Sequence, residues 1–527
     1  MKTSGLVLAS ALAPLAAILV LAGVSSHVHA EPLSYAIVIG NNAPPDPASP
    51  QLKYADDDAA RFAQLFQRFT KRTVILTVPD KETRVRYPEL AGQMRPPTLE
   101  ELRAAVALVT ESARKELAND NPEHRRQLVL YVTFSGHGSQ IDNEPYLALE
   151  RGRLTQKTIE REILDVVAQF PNSLVHLFLD ACNAEAVVGV RGADDVAAET
   201  LPISPADIAQ RLALNSLPAR YSNLGILLAT TAAQKTHEWS RIESGVFAHE
   251  LLSGLAGAAD INGDGVLEYS EILAFVNAAN GAINDPRIRA TVQAYPPKSA
   301  PRVPLVSRSQ LANVGILTGD FSPLGRFFIT LASGERYLDA HLQSAPWPAW
   351  IAVPGGEPVK LLADGFETEL NLAPGQEVSL DSLDRCSAQG SVAARGTPDA
   401  VFTESLFRTP FGRTYYQGVV DSLGLVSVTW PSPDRPSPPP PPRRSLIPSL
   451  ALLTGSAVSL AASVWQGSVA WQARHDYDST QFQRPAFEAA DRYGDARKVA
   501  IWTAATSAAL GFVAWLVWPS ENQTKRN

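Results

Sequence analysis

Five short apolar runs, Tyr35–Ile39, Thr73–Val78, Leu128–Phe134, Leu174–Leu179 and Leu224–Ala229, are separated by amphipathic stretches, and this alternation constrains the fold more than any other feature of the sequence. Apolar runs of this length suit strands buried on both faces, and the stretches between them suit helices that cover those faces. The pattern predicts an α/β fold built on an open, mostly parallel sheet with helices on both sides. Two helix starts are marked in the sequence. Thr98–Leu117 opens with the capping box Thr98-Leu99-Glu100-Glu101, and a later helix has Ser204 as N-cap with Pro205 at its first position. From about Asn313 to Trp430 the pattern changes. Phe327–Leu331 and Tyr337–Leu342 meet through Ser333-Gly334, and further runs lie at Trp350–Val353 and Leu425–Trp430, which predicts a small antiparallel β domain.

The ends of the chain are different in kind. Met1 and Lys2 precede an uncharged run, Leu6–Val24, and Val28-His29-Ala30 suits signal-peptidase cleavage, so residues 1–30 read as a secretory leader. Ser445–Ala473 and Val499–Trp518 are free of charge, and each is long enough to cross a hydrocarbon core of ~30 Å as a helix. Trp465, Trp471, Trp515 and Trp518 fall where an interfacial belt would place them. Pro431–Pro442 holds eight prolines in twelve residues, a composition that favours an extended, semi-rigid spacer. The predicted organisation is a leader (1–30), an α/β domain (31–305), a β domain (313–430), a Pro-rich linker (431–444), a first span within 445–473, a connecting loop (474–498), a second span (499–518) and a tail (519–527). A net charge of −8 gives no overall basic footprint, so nucleic acid is not an expected partner. Two cysteines cannot make a disulfide framework in an exported chain. Cys386 reads as a small buried residue of the β domain, which leaves Cys182 to be explained.

In open parallel sheets ligands bind beyond the carboxyl ends of the strands. Leu128–Phe134 runs into Ser135-Gly136-His137-Gly138, and Leu174–Leu179 runs into Asp180-Ala181-Cys182. If these strands are neighbours, an imidazole faces a thiol across a crevice. That pairing suits nucleophilic catalysis, with His137 as general base and acid and Cys182 as the thiolate nucleophile. The Gly138 and Cys182 N–H groups are the candidate donors to a developing oxyanion. His237 and Glu238, just past the fifth strand, read as loop residues that could line substrate.

With these residues in place, the chain resembles the caspase-like clan of cysteine peptidases (C14), and within it the bacterial metacaspase or orthocaspase branch. The likeness spans about residues 33–300. It is carried by Tyr35-Ala36-Ile37-Val38-Ile39-Gly40, Leu52-Lys53-Tyr54-Ala55-Asp56-Asp57-Asp58-Ala59, Phe134-Ser135-Gly136-His137-Gly138, Asp180-Ala181-Cys182 and Gly245-Val246-Phe247. The separation of 45 residues between His137 and Cys182 is close to the caspase spacing. The resemblance implies a six-stranded, mostly parallel sheet between helices, a His137/Cys182 dyad, and hydrolysis of a polypeptide substrate. It also puts Asp58, Ser135 and Asp180 at the pocket for the P1 side chain. Two carboxylates there would suit P1 Arg or Lys, Arg best through paired hydrogen bonds. Here Cys182 is followed by Asn183-Ala184-Glu185 rather than by the family's usual basic residue and glycine. Together with the leader and the two spans, the likeness implies an enzyme of the bacterial envelope, anchored in the inner membrane with its peptidase domain in the periplasm. The alternative is a pseudoprotease or calcium-responsive interaction module on the same fold.

A second motif runs from Asp260 to Glu271. Asp260, Asn262 and Asp264 occupy positions 1, 3 and 5 of a twelve-residue loop, with Gly265 at 6, Val266 at 7, Leu267 at 8 and Glu271 at 12. This matches an EF-hand loop, in which the side chains and the Val266 carbonyl supply the oxygens that Ca2+ requires. The dyad chemistry itself needs no cofactor.

Overall fold

The chain enters its central sheet through β1 (Leu33–Asn41), whose residues are buried throughout. In the computed structural model, residues 31–46, 49–121, 125–142, 144–181, 216–230, 238–285, 288–383, 398–431, 461–475, 492–506 and 508 are described. The predicted leader, Cys182, the helix start at Ser204, Cys386, nearly all of the Pro-rich linker, and residues 445–460 and 509–518 of the two predicted spans lie outside the described residues.

After β1 the strands are β2 (Arg72–Thr77), β3 (Met94–Arg95), β4 (Leu128–Gly136), β5 (Gly138–Ile141), β6 (Glu144–Ala148), β7 (Arg153–Thr155), β8 (Leu174–Asp180), β9 (Leu224–Thr230), β10 (Glu238–Trp239), β11 (Ser244–Gly245), β12 (Val266–Leu267) and β13 (Thr291–Tyr295). The longer helices among them are α1 (Ala55–Phe66), α2 (Leu99–Leu117), α3 (Val246–Ser253) and α4 (Tyr269–Asn280). The main sheet has the order β13-β9-β8-β4-β1-β2-β3. Its pairs are parallel except β13 with β9. The sheet therefore has seven strands rather than the six implied by the resemblance. The two-residue edge strand Met94–Arg95 is too short to leave any periodicity in the sequence.

Strand alternation sorts the side chains into two cores. Tyr35, Ile37 and Ile39 of β1 join Leu130, Val132, Leu177 and Leu179 under α2. Ala36 and Val38 join Tyr131, Phe178 and Leu227 on the other face, in a core continuous with α1, α3, α4 and the region beyond residue 305. The predicted start of α2 holds in part: the Thr98 side chain accepts from the Glu101 N–H at 3.1 Å.

A polar group sits deep in that second core. His176 of β8 is fully buried, with Nδ1 2.7 Å from the Tyr269 hydroxyl and its ring stacked on Tyr131. Burial lowers its pKa to about 3, so it folds as neutral imidazole. In the unfolded chain it protonates near its ordinary value. This group's contribution to stability is therefore complete above about pH 6.5 and is lost as pH falls toward 3, at about 1.4 kcal/mol per pH unit. We expect thermal melts of the wild type to lose more stability between pH 6.5 and 4 than those of His176→Phe. Equal slopes would refute this.

Beyond residue 305 come β14 (Val306–Ser307), β15 (Val314–Gly319), β16 (Arg326–Leu331), β17 (Arg336–His341), β18 (Ala349–Pro354), β19 (Pro358–Ala363), β20 (Phe366–Asn371) and β21 (Glu377–Ser379), then α5 (Pro398–Ser405) and α6 (Arg413–Leu423). The hairpin read through Ser333-Gly334 is present as β16–β17, and the four-stranded sheet β17-β16-β19-β20 is wholly antiparallel. Three features differ from a purely antiparallel β reading. β21 pairs with β15 in parallel. Leu425–Trp430 is not a strand. Residues 413–423 are helical because Tyr416 and Val420, one turn apart, give α6 a buried stripe.

The chain divides into two compact units, Met1–Trp430 and Pro431–Asn527. In the second, residues 461–475 and 492–506 are helical, and the Ser463 hydroxyl donates to the Ala500 carbonyl at 3.0 Å. The second segment starts before residue 499, so Arg492, Asp495, Arg497 and Lys498 are helical rather than part of a loop. Among the described residues no helix is long and apolar enough to cross a membrane.

Candidate active site

His137 stands between β4 and β5. The turn that delivers it holds Gly136, with a φ of +158°, where a Cβ would lie 3.0 Å from the Asn41 carbonyl oxygen, a contact that its neighbours could relieve only by shifting a few tenths of an ångström. The half-buried imidazole places Nε2 2.8 Å from the Pro50 carbonyl oxygen. A carbonyl can only accept, so Nε2 carries the proton and Nδ1 keeps its lone pair. Burial pulls the imidazole pKa below its ordinary value, opposed by the Pro50 carbonyl and the charge of Asp46. The arrangement is a neutral base with a fixed tautomer.

The Ala148 N–H donates to the His137 carbonyl at 2.8 Å, and the next pair along the β5–β6 ladder is Gly138 opposite Leu147. Antiparallel ladders alternate hydrogen-bonded and non-bonded pairs, so the Gly138 N–H points away from β6. β5 is an edge strand of its small sheet, which leaves that donor outward-facing.

β4 and β8 are parallel neighbours, and their register sets Ser135 opposite Asp180. Ala181 follows, fully buried, at the same end of the sheet as His137. Cys182, one peptide bond further on, lies outside the described residues.

Three consecutive acids open α1, and their partners separate their roles. Asp56 accepts from the Asn42 side chain at 2.7 Å and from the Asp80 N–H at 2.9 Å. Asp57 pairs with Arg86. Asp58 turns to β11: its Oδ1 accepts from the Ser244 hydroxyl at 2.5 Å and from the Gly245 N–H at 3.1 Å. Asp180 accepts from the Ala248 N–H at 3.3 Å. The two carboxylates converge on one glycine. A Cβ on Gly245 would lie 2.7 Å from Asp180 Oδ2 and 2.9 Å from Asp58 Oδ2. Burial, then the neighbouring Asp180, push Asp58 up to about 8, and burial pushes Asp180 up to about 7. The geometry thus brings Asp58 and Asp180 together, with buried Ser135 beside Asp180.

Two contributors carry more than the sequence shows. Pro50 acts through its backbone carbonyl, so no side-chain signal marks it. Glu238, which reads as a loop residue, begins β10 and accepts from the Lys53 N–H at 2.9 Å and the Tyr54 N–H at 2.7 Å, tying the start of α1 to that strand. Its carboxylate also raises the pKa of Asp58 and of Asp180. His237, its neighbour in sequence, lies outside the described residues.

The predicted calcium loop is folded as a tight turn. Asp260 accepts from the Gly263 N–H at 2.6 Å, the Gly265 N–H at 2.8 Å and the Trp350 indole at 2.6 Å. Asn262 Oδ1 accepts from the Asp264 N–H, and Asp264 Oδ1 from the Val266 N–H. Glu271 is fully buried and accepts from Ile261 and Glu268 N–H groups. Burial and Asp260 push its pKa well up.

Among solved structures, caspase-1 from Spodoptera frugiperda is similar at 10% identity and a TM-score of 0.24, over 43% of this chain and 71% of that one. The structure of pro-sf-caspase-1 is similar at 10% identity and a TM-score of 0.24, over 43% and 70%. No curated protein matches the chain. Residues 33–291, from the start of β1 to the start of β13, match the family model of the caspase domain, peptidase C14. By that match, the segment that holds His137, Asp58 and Asp180 is similar to the caspase domain.

Proposed function

We propose that the protein is a cysteine endopeptidase that cleaves polypeptides after Arg or Lys, with His137 and Cys182 as its dyad. The observation that carries this reading is the register of β4 and β8, which ends with Ser135 opposite Asp180: His137 follows two residues past Ser135, its Nδ1 without a partner among the described residues, and Ala181, the residue before Cys182, follows Asp180. In the reaction His137 Nδ1 takes the thiol proton and the thiolate attacks the scissile carbonyl. The oxyanion draws on the Gly138 and Cys182 N–H groups. His137 returns its proton to the leaving amine, and water then hydrolyses the thioester.

Asp58 and Asp180 select P1. Both are buried and hold protons near neutral pH, so a cationic side chain displaces those protons as it enters. Replacing Gly245 with Ala sets a methyl against both acids. We expect KM for P1-Arg peptides to rise about 10-fold with a smaller change in kcat. Unchanged KM would remove Gly245 from the pocket.

Membrane anchoring and calcium binding belong to the same proposal. Val464, Trp465, Trp471, Ile501 and Trp502 are exposed large apolar residues on the two helical segments of the second unit, which suits a lipid environment. With the leader read at residues 1–30, this supports an enzyme of the bacterial envelope, its peptidase domain in the periplasm. The donor set Asp260, Asn262, Asp264, Val266 carbonyl and Glu271 is all oxygen, although among the described residues no three acidic, histidine or cysteine side chains are gathered closely enough to hold a metal ion, so a cation would have to draw the loop together. Asp260 and Glu271 are both buried, and burial together with the Asp260 charge raises the proton affinity of Glu271, a repulsion that a divalent cation would relieve. Bound there, Ca2+ would supply charge and rigidity to the loop, not chemistry.

The test is a thiol-directed peptidyl-Arg probe on the full-length protein, with and without Ca2+. Wild type should be labelled and Cys182→Ala should not. Absence of Cys182-dependent labelling under both conditions would favour the pseudoprotease alternative.

A further inference from the structure

The hairpin β16–β17 lies beyond the segment matched by the family model, yet it reaches back to that segment with three buried charged residues, Glu335, Arg336 and Asp339. Asp339 meets α3. Its Oδ2 stands 2.9 Å from His249 Nε2, and its N–H donates at 3.2 Å to the Ser253 hydroxyl, which donates in turn to the His249 carbonyl at 2.8 Å. Burial disfavours the Asp339 charge, but Arg336, bonded to both of its oxygens at 2.7 Å, outweighs this and holds the carboxyl well below its ordinary pKa. Burial lowers the His249 pKa against the pull of Asp339, so the imidazole is neutral. A carboxylate only accepts, so His249 Nε2 carries the proton, and the bare lone pair is on the buried Nδ1. Glu335 meets α1. Its Oε1 accepts from Arg61 Nε at 2.7 Å and from the Tyr87 hydroxyl at 3.0 Å, while Arg61 Nη2 donates to the Ile242 and Arg336 carbonyls at 3.1 and 2.9 Å.

Both attachments lie about one helical turn from the two acids of the P1 pocket. Arg61 is three residues after Asp58 on α1. His249 follows Ala248, whose N–H holds Asp180, and comes four residues after Gly245, whose N–H holds Asp58. A hydrogen-bonded turn is stiff, so a displacement at Arg61 or His249 is passed on to the pocket. Buried ion pairs add little stability over apolar side chains of the same volume; what they supply is a fixed geometry. We propose that β17 sets the separation of the two walls of the P1 pocket, with Asp339 and Glu335 as positioning residues for P1 recognition that act through α3 and α1. The inference rests on the reading of Asp58 and Asp180 as the P1 acids. It concerns selectivity. Arginine presents a planar fork that needs its carboxylates accurately placed, whereas lysine presents a point charge that tolerates their displacement. Loosening the walls therefore costs P1 Arg more than P1 Lys.

The test is the ratio of kcat/KM for P1-Arg peptides to that for P1-Lys peptides, measured on the full-length protein. This ratio does not depend on the concentration of folded enzyme, so a variant that merely folds less well leaves it unchanged. His249→Leu removes the bond to Asp339 and leaves Asp339 paired with Arg336. The ratio should fall about 5-fold or more, with a raised KM for P1 Arg and a smaller change in kcat. His249→Gln, whose amide nitrogen reaches to the place of Nε2, should return it to within about 2-fold of wild type. Replacing the other pair by Arg61→Met with Glu335→Met should lower the ratio as His249→Leu does. Tyr337→Phe, which removes a bond from the same strand to the Ala352 carbonyl, should not change it. Of His249→Leu and the double variant, the one whose melting temperature stays closer to wild type decides. A wild-type ratio in that variant overturns the proposal. So does a ratio in His249→Gln as low as in His249→Leu, or an equal fall in Tyr337→Phe. Failure of the P1 reading itself looks different: wild type then does not cleave P1-Arg peptides, or Asp58→Asn cleaves them as well as wild type, and the positioning role falls with it.

Discussion

Replacing His137 with Ala lowers kcat for a P1-Arg peptide by about 10³-fold or more, with KM nearly unchanged, because the substitution removes both the acceptor of the thiol proton and the donor to the leaving amine. The fixed tautomer sharpens this expectation. Nε2 is committed to Pro50, so Nδ1 is the atom that works, and no other imidazole stands at this strand end among the described residues. His137→Gln presents hydrogen-bonding groups but no base in the relevant pH range, and should be equally inactive. The depressed pKa of His137 keeps it neutral at pH 7, so the acid limb of the rate profile should fall below the ordinary imidazole value. Peptide hydrolysis by His137→Ala at the wild-type rate would remove the dyad assignment.

Asp58→Asn lowers kcat/KM for P1-Arg peptides by about 10²-fold, the scale expected when one carboxylate of a desolvated charge contact is removed. Wild type should show a kcat/KM for basic P1 that rises with pH through about 7 to 8. The sign follows from the raised values. In the free enzyme both acids are largely protonated on the acid side of that range, and a cationic P1 binds only as protons leave. Removing the Asp180 charge by Asp180→Asn takes away one of the causes that raise Asp58, so the remaining rise should move to lower pH. The same values make these acids stabilising at low pH. Their raised affinity for protons favours the folded chain below about pH 4, and that contribution is lost as pH climbs through 7 to 8. A basic P1 inhibitor should therefore stabilise the protein most at the alkaline end of the range. A flat profile in wild type would mean that Asp58 and Asp180 do not meet the substrate.

The main sheet was legible because its strands carry continuous apolar runs, a signal that depends on burial of both faces. All five predicted runs are strands within one or two residues of their observed ends. The edge strand Met94–Arg95 carries no such signal, and β13, with polar Thr291 and Gln293 on a sheet edge, lacks the continuous run of its neighbours. α5 and α6 were hidden because each is short, and the buried stripe of α6 is only Tyr416 and Val420, too few positions to stand out as a helical period. At the site, His137 and Asp180 were readable from strand ends. Asp58 was not separable from Asp56 and Asp57 by sequence pattern, since all three suit the first turn of a helix; the resemblance chose it, and its bonds to Ser244 and Gly245 distinguish it. Pro50 could not be read at all, because a carbonyl belongs to every residue.

Glu238 has a wider consequence. The stretch from Pro50 to Tyr54 carries the carbonyl that orients the imidazole at one end and accepts the grip of Glu238 at the other. Glu238 itself begins the short hairpin whose far strand, Ser244–Gly245, cradles Asp58. Under the proposed function, reaction chemistry and side-chain choice would share a single mechanical anchor, and a lineage that retuned its cleavage preference by reshaping this hairpin would have to re-aim its base at the same time.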